Sequence, residues 1–231
     1  MATSSTDGTT LEPDRDPAFT RSLLRFGVIA GPFYLALGFG QAQLREGFDI
    51  TRHPLSLLAN GPGGWVQAAN FVLTGVMVIA AAIGITRTLG PGSRAASVFL
   101  AGFGLSMIAA AIFPADPVNG FPPGTPEGLP TTISTAGILH FFAGMLGFVC
   151  LAVSALVAAL ALSRRHLTLL ARLSLVTGLA VLLGFFGGMF LLPSTLGIWF
   201  AVIVGWAWLA ATSFQLLRRI PNGTSERVGI H

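Results

Sequence analysis

The sequence predicts an all-α polytopic membrane bundle of six transmembrane helices, with a short interfacial helix in the first outer loop. Two observations predict it. Of 231 residues, 53% are hydrophobic and only 10% charged, and the mean hydropathy is +0.76. Soluble domains carry about 25% charged residues, and so few charges cannot cover a water-facing surface. The apolar residues also fall into six runs, each long enough to cross about 30 Å of hydrocarbon at about 1.5 Å per residue. Lipid offers no hydrogen-bond partner to a free backbone group, so each run must be helical.

The runs follow in order. Residues 1–21 are polar, with several acidic residues and two prolines, and read as a disordered cytoplasmic tail. The membrane domain spans residues 22–218. Its spans are Leu23 to Leu44, Val66 to Ile85, Ala95 to Ala115, Ser134 to Leu162, Leu167 to Leu192 and Ile198 to Leu217. Residues 219–231 form a C-terminal tail, also cytoplasmic.

Arginine sets the orientation. All thirteen basic residues are arginine. Arg15, Arg21 and Arg25, then Arg87 and Arg94, then Arg164, Arg165 and Arg172, then Arg218, Arg219 and Arg227 belong to one side. Only Arg45 and Arg52 belong to the other. The positive-inside rule places both termini in the cytoplasm, with the chain in the cell membrane. The net charge of +4 does not mark a nucleic-acid binder, because the arginines flank apolar runs instead of forming a patch. The expected partners are membrane lipids. The lone Cys150 sits in an apolar run and carries no disulfide information.

Two longer loops therefore face outward. The first contains HPLSLLANGPGGW, His53 to Trp65. Pro54 suits a first helical position and Gly61 a C-terminal cap, which gives a short helix with Leu55 and Leu58 on one face and Ser56 and Asn60 on another. The Gly61–Gly64 run then turns sharply into span two, where backbone angles open to glycine are expected. Trp65 sits at the interfacial depth that indoles favour. The second loop, Asp116 to Ile133, holds five prolines and three glycines.

Polar residues collect at the outer ends of the spans. Gln67, Asn70 and Thr74 share one face of span two, and facing lipid they would lose their hydrogen bonds. Gly137, His140, Gly144 and Gly147 share a face of span four, where small residues permit close helix approach. Ser106 and Asp116 lie on one stripe of span three. The candidate binding residues are Arg52, His53, Ser56, Gln67, Asn70, Asp116 and His140. Among them His140, Asp116 and His53 are the candidates for catalysis. His140 is a possible base or structural hydrogen-bonder, and Asp116 a possible partner for His140 or Arg52. Arg52 is a possible ligand for lipid phosphate, and His53 is expected at the surface or interface. A metal would need three or four converging ligands. Residues 53, 116 and 140 come from separate segments without a local metal signature, so the sequence names no cofactor.

RHPLSLLANGPGGWVQAANFVLTG, FPADPVNGFPPGTP and TAGILHFFAGMLGF, taken together, resemble the bacterial membrane proteins grouped as domain of unknown function 998. The likeness covers roughly Val28 to Trp208. The residues that carry it are Arg52, His53, Pro54, Ser56, Gly61, Trp65, Asn70, Pro114, Asp116, Pro117, Gly120 and His140. The resemblance implies an integral membrane protein of about six helices and assigns no activity.

Three functions stay open. One is a binding protein that takes a lipid, small amphiphile or partner in an outward-facing polar pocket. Another is a hydrolase or transferase acting on lipid at the outer leaflet. The third is a small transporter, against which spans one, two, five and six lack a mid-membrane ionisable residue.

Overall fold

The computed structural model describes residues 16–191 and 195–221. Most of the two predicted tails, residues 1–15 and 222–231, and residues 192–194 of the tight link before the last span lie outside the described residues. The six predicted spans are six helices: α1 (Pro17–Leu44), α2 (Gly64–Leu89), α3 (Arg94–Ile112), α4 (Thr135–Ser163), α5 (Thr168–Phe190) and α6 (Leu196–Leu217). All six are long and apolar enough to cross a membrane.

Local chemistry sets the ends. α1 starts at Pro17, ahead of the apolar run, because Asp16 accepts the Phe19 N–H at 2.9 Å and proline fits the first turn. α2 starts after Gly63 at φ +82° and stops at Gly90 at φ +74°, both in the left-handed region that favours glycine. α3 stops at Phe113, because the following Pro114 disfavours helical backbone before it. α4 starts where the Ser134 hydroxyl accepts the Gly137 N–H at 2.9 Å.

Each helix packs on its chain neighbours, and α6 returns to α1, so the six form a closed ring. The outward surfaces are apolar on every helix: Ile29, Val76, Val98, Leu146, Val176 and Ile203 are all exposed. Such a surface suits lipid and not water. Inside, glycine sets the spacing. A Cβ on Gly75 would lie 2.6 Å from the Gly104 carbonyl, and one on Gly147 would lie 2.1 Å from Ser106 Oγ. Those contacts hold α2 against α3 and α3 against α4.

Arginines tie the face that carries the two tails. Arg165 donates to the Leu89 carbonyl at 2.8 Å, a cation at the C-terminal end of α2. Arg21 donates to the Ile220 carbonyl at 2.8 Å, and Arg87 to Thr20 Oγ1 at 2.7 Å.

Candidate functional site

The opposite face carries the two long loops, and they fold over the end of the ring. In the first, Leu55–Ala59 forms a 3-10 helix. It is not a free amphipathic helix resting on the interface. Leu55, Leu57 and Leu58 are all buried, and the 3-10 helix packs on α1 and α2. Gly61 and Gly63, at φ +69° and +82°, make the turn into α2. Trp65 lies 74% exposed at the start of α2, turned to the lipid boundary.

His53 departs most from expectation. It is 1% exposed, not a surface residue. Its Nδ1 accepts the Asp49 N–H at 2.9 Å, and its Nε2–H donates to the Asn119 carbonyl at 3.0 Å. The ring packs between Phe48 and Phe121, with centroids 5.4 and 5.5 Å away. His53 thus joins the two loops. Thr51 helps shape its approach. Its hydroxyl and its amide both donate to Asp49 and hold that carboxyl below the usual carboxylate range.

The arginines of this face are also engaged. Arg45 donates to the Leu58 carbonyl at 3.0 Å and to the Asn60 carbonyl, and stands over the Phe121 ring. Its partial burial lowers its pKa. Arg52 pairs with Glu127 across the loops, which keeps its proton bound more tightly than usual. That carboxylate lies 75 residues downstream and sequence reading did not single it out. Thr195 Oγ1 and Trp199 Nε1 both donate to the Ile50 carbonyl, at 2.8 and 3.0 Å, and fasten the first loop to α6.

Gln67, Asn70 and Thr74 point into the bundle as predicted, each 0% exposed. Asn70 Nδ2 donates to the Tyr34 carbonyl at 3.1 Å and to Gln67 Oε1 at 3.2 Å, and Thr74 donates to Asn70 Oδ1. Gln41 donates to Gln67 Oε1 at 2.9 Å. This network stitches α1 to α2 within the wall of the ring.

Asp116 and His140 meet at the joint between α3 and α4. Asp116 Oδ2 accepts the Ser134 N–H at 3.0 Å, above the first turn of α4. Gly137 makes the room, since a Cβ there would lie 2.0 Å from that oxygen. One turn further on, His140 Nδ1–H donates at 2.7 Å to the carbonyl of Phe113, an otherwise orphaned acceptor at the end of α3. His140 and Asp116 therefore each cap the neighbouring helix, and Asp116 pairs with neither His140 nor Arg52. Among the described residues no three His, Cys, Asp or Glu side chains converge to hold a metal.

Below this joint lies a cavity of about 610 Å³ inside the ring. That is within the range of about 300–1,000 Å³ usual for small-molecule sites. Its floor is Tyr34, Phe103, Leu151 and Trp206, and Leu55 and Val118 roof it. Trp206 is ten residues into α6, so the cavity reaches about 15 Å below the loops. Ser56, Asp116 and His140 line its upper end, whereas Arg52, His53, Gln67 and Asn70 do not line it. On α4, Ile138, Phe141 and Phe142 both line the cavity and stay exposed. A Cβ on Gly144 would meet no atom within 4 Å. Further down, Phe148 of α4 and Phe185 of α5 stack at 4.1 Å. The cavity is thus open to the outside of the ring beside the upper half of α4.

A closed ring of six apolar helices, with its polar groups turned inward or tied in loops, defines a multi-pass integral membrane protein. The chain belongs to the family described as Protein of unknown function (DUF998), whose model matches residues 28–215. Neither a curated protein nor a solved structure matches it.

Proposed function

We propose that this protein binds a lipid or other long-chain amphiphile. The chain of the ligand occupies the cavity between the helices, and its head meets Ser56, Asp116 and His140. The observation that carries this reading is the cavity itself, apolar nearly throughout, with those three polar residues gathered at its loop end. The exposed, cavity-lining Ile138, Phe141 and Phe142 of α4 support entry from the bilayer. The excess of arginine on the tail-bearing face supports cytoplasmic termini in the cell membrane, with the cavity on the outer-leaflet side. A cysteine at Thr125, in the second loop, is then expected to react with an impermeant maleimide on intact cells. Labelling only after lysis would reverse the orientation.

The binding test fills the cavity. Phenylalanine at Gly144 enters open space, so the helix tolerates it while the volume falls. Protein purified in a mild detergent is expected to carry an amphiphile that mass spectrometry detects after extraction. Gly144→Phe is expected to carry at least about tenfold less at an unchanged unfolding midpoint. Equal content in the two proteins would overturn the reading.

A further inference from the structure

A ligand that enters from lipid leaves one apolar environment for another. Its chain gains little by the move, because lipid tails are as apolar as the side chains that replace them. Selection among amphiphiles must therefore come from the head, at the upper end of the cavity. Two side chains there have defined roles. His140 spends its Nδ1–H on the Phe113 carbonyl, so in the neutral ring Nε2 is an acceptor. Asp116 spends Oδ2 on the Ser134 N–H and retains Oδ1. The Ser56 hydroxyl can act in either sense.

Among the described residues no lysine or arginine lines the cavity. Arg45 and Arg52, the arginines of the loop face, are bound to carbonyls and to Glu127 respectively. The start of α4 offsets about half of the Asp116 charge, and among the described residues no ion pair offsets the rest. The surrounding loops add to the field, with Glu46, Asp49, Asp116 and Glu127 against Arg45 and Arg52.

We propose that the site selects amphiphiles with a cationic amine head and rejects anionic ones, the ammonium resting on Asp116 with His140 as second acceptor. This rests on the amphiphile-binding reading above and narrows it. Three probes with one C18 chain separate the two: oleylamine, oleyl alcohol and oleate. Binding to the purified protein in a neutral maltoside is measured by tryptophan fluorescence, with Gly144→Phe as the baseline for micelle partitioning.

Oleylamine is expected to bind at least about tenfold tighter than oleate, with the alcohol between. Asp116→Asn keeps an acceptor for the Ser134 N–H and removes the charge. It is expected to bring the amine to the affinity of the alcohol while the alcohol changes less than about twofold. Oleate binding as tightly as the amine would overturn the head-group proposal and leave amphiphile binding standing. An amine preference that survives Asp116→Asn would overturn the role of Asp116. Binding of no probe above the Gly144→Phe baseline would overturn both readings. If Asp116→Asn does not fold, the three-probe order on the native protein decides.

Discussion

Gly104→Val is expected to cost about 3 kcal/mol or more and to leave little folded protein. A Cβ on Gly104 would lie 2.6 Å from the Gly75 carbonyl oxygen, and a Cβ on Gly75 would lie 2.6 Å from the Gly104 carbonyl. Each glycine therefore faces backbone, which cannot rotate out of the way as a side chain would. The helices would have to separate, yet α2 is also held by α1, and α3 by α4. Overpacking a closed core costs typically about 1–3 kcal/mol, and a rigid neighbour on both sides puts this case at or beyond the upper end. Gly40→Ala is the control. It is exposed on α1, and a Cβ there meets nothing within 4 Å. In mid-helix that change is expected to stabilise by roughly 0.5–1 kcal/mol. Unfolding midpoints in detergent measure both. Similar behaviour of the two variants would mean that close approach of α2 and α3 does not hold the ring.

That contrast marks what the sequence could and could not reveal. The spans were legible because hydropathy is local, and the inward stripe of Gln67, Asn70 and Thr74 because helix periodicity is local too. A glycine's spacing says that helices approach but not which ones. Gly75 and Gly104 became a pair only once α2 and α3 lay side by side. The same limit hid the joint of the two loops. His53 precedes a proline in a polar stretch, and nothing near it announces burial. Phe121 and Asn119, which enclose it, lie more than sixty residues away, as does Glu127, the partner of Arg52. Asp116 and His140 were legible as polar residues at the end of the bundle with a structural role among their readings, but their partners, the Ser134 N–H and the Phe113 carbonyl, were not. A pocket at the outer end was expected as a polar one; its depth and its largely apolar lining were not legible. Its lining comes from all six helices and both loops, and no single run of residues carries it.

His53→Ala is expected to destabilise the loop face by about 3 kcal/mol and to open it locally. Two losses combine. The ring leaves a gap between Phe48 and Phe121, which touch each other edge to face at 5.2 Å, and truncations of this size typically cost about 2–5 kcal/mol. The Asp49 N–H and the Asn119 carbonyl also lose their partner, at about 1–3 kcal/mol for each group that stays buried. Water entering the gap relieves part of the second term, which keeps the total near the lower end of the sum. The effect is expected in the loops and not in the ring, because the partners of His53, namely Phe48, Asp49, Asn119 and Phe121, all belong to the loops. Hydrogen exchange should rise across residues 45–60 and 113–134 and stay unchanged in the arginine-bound ends of the helices. His53→Phe separates the causes. It retains ring packing and loses both hydrogen bonds, so exchange as fast as in the alanine variant would assign the closure to the hydrogen bonds, and near-native exchange to the rings. The consequence for binding follows from position. Leu55 and Val118 roof the cavity from the two loops that His53 joins, so His53→Ala should also speed release of a bound amphiphile. Unchanged exchange in both loops would mean that the roof is held from elsewhere, with the bonds from Thr195 and Trp199 to Ile50 the next to remove.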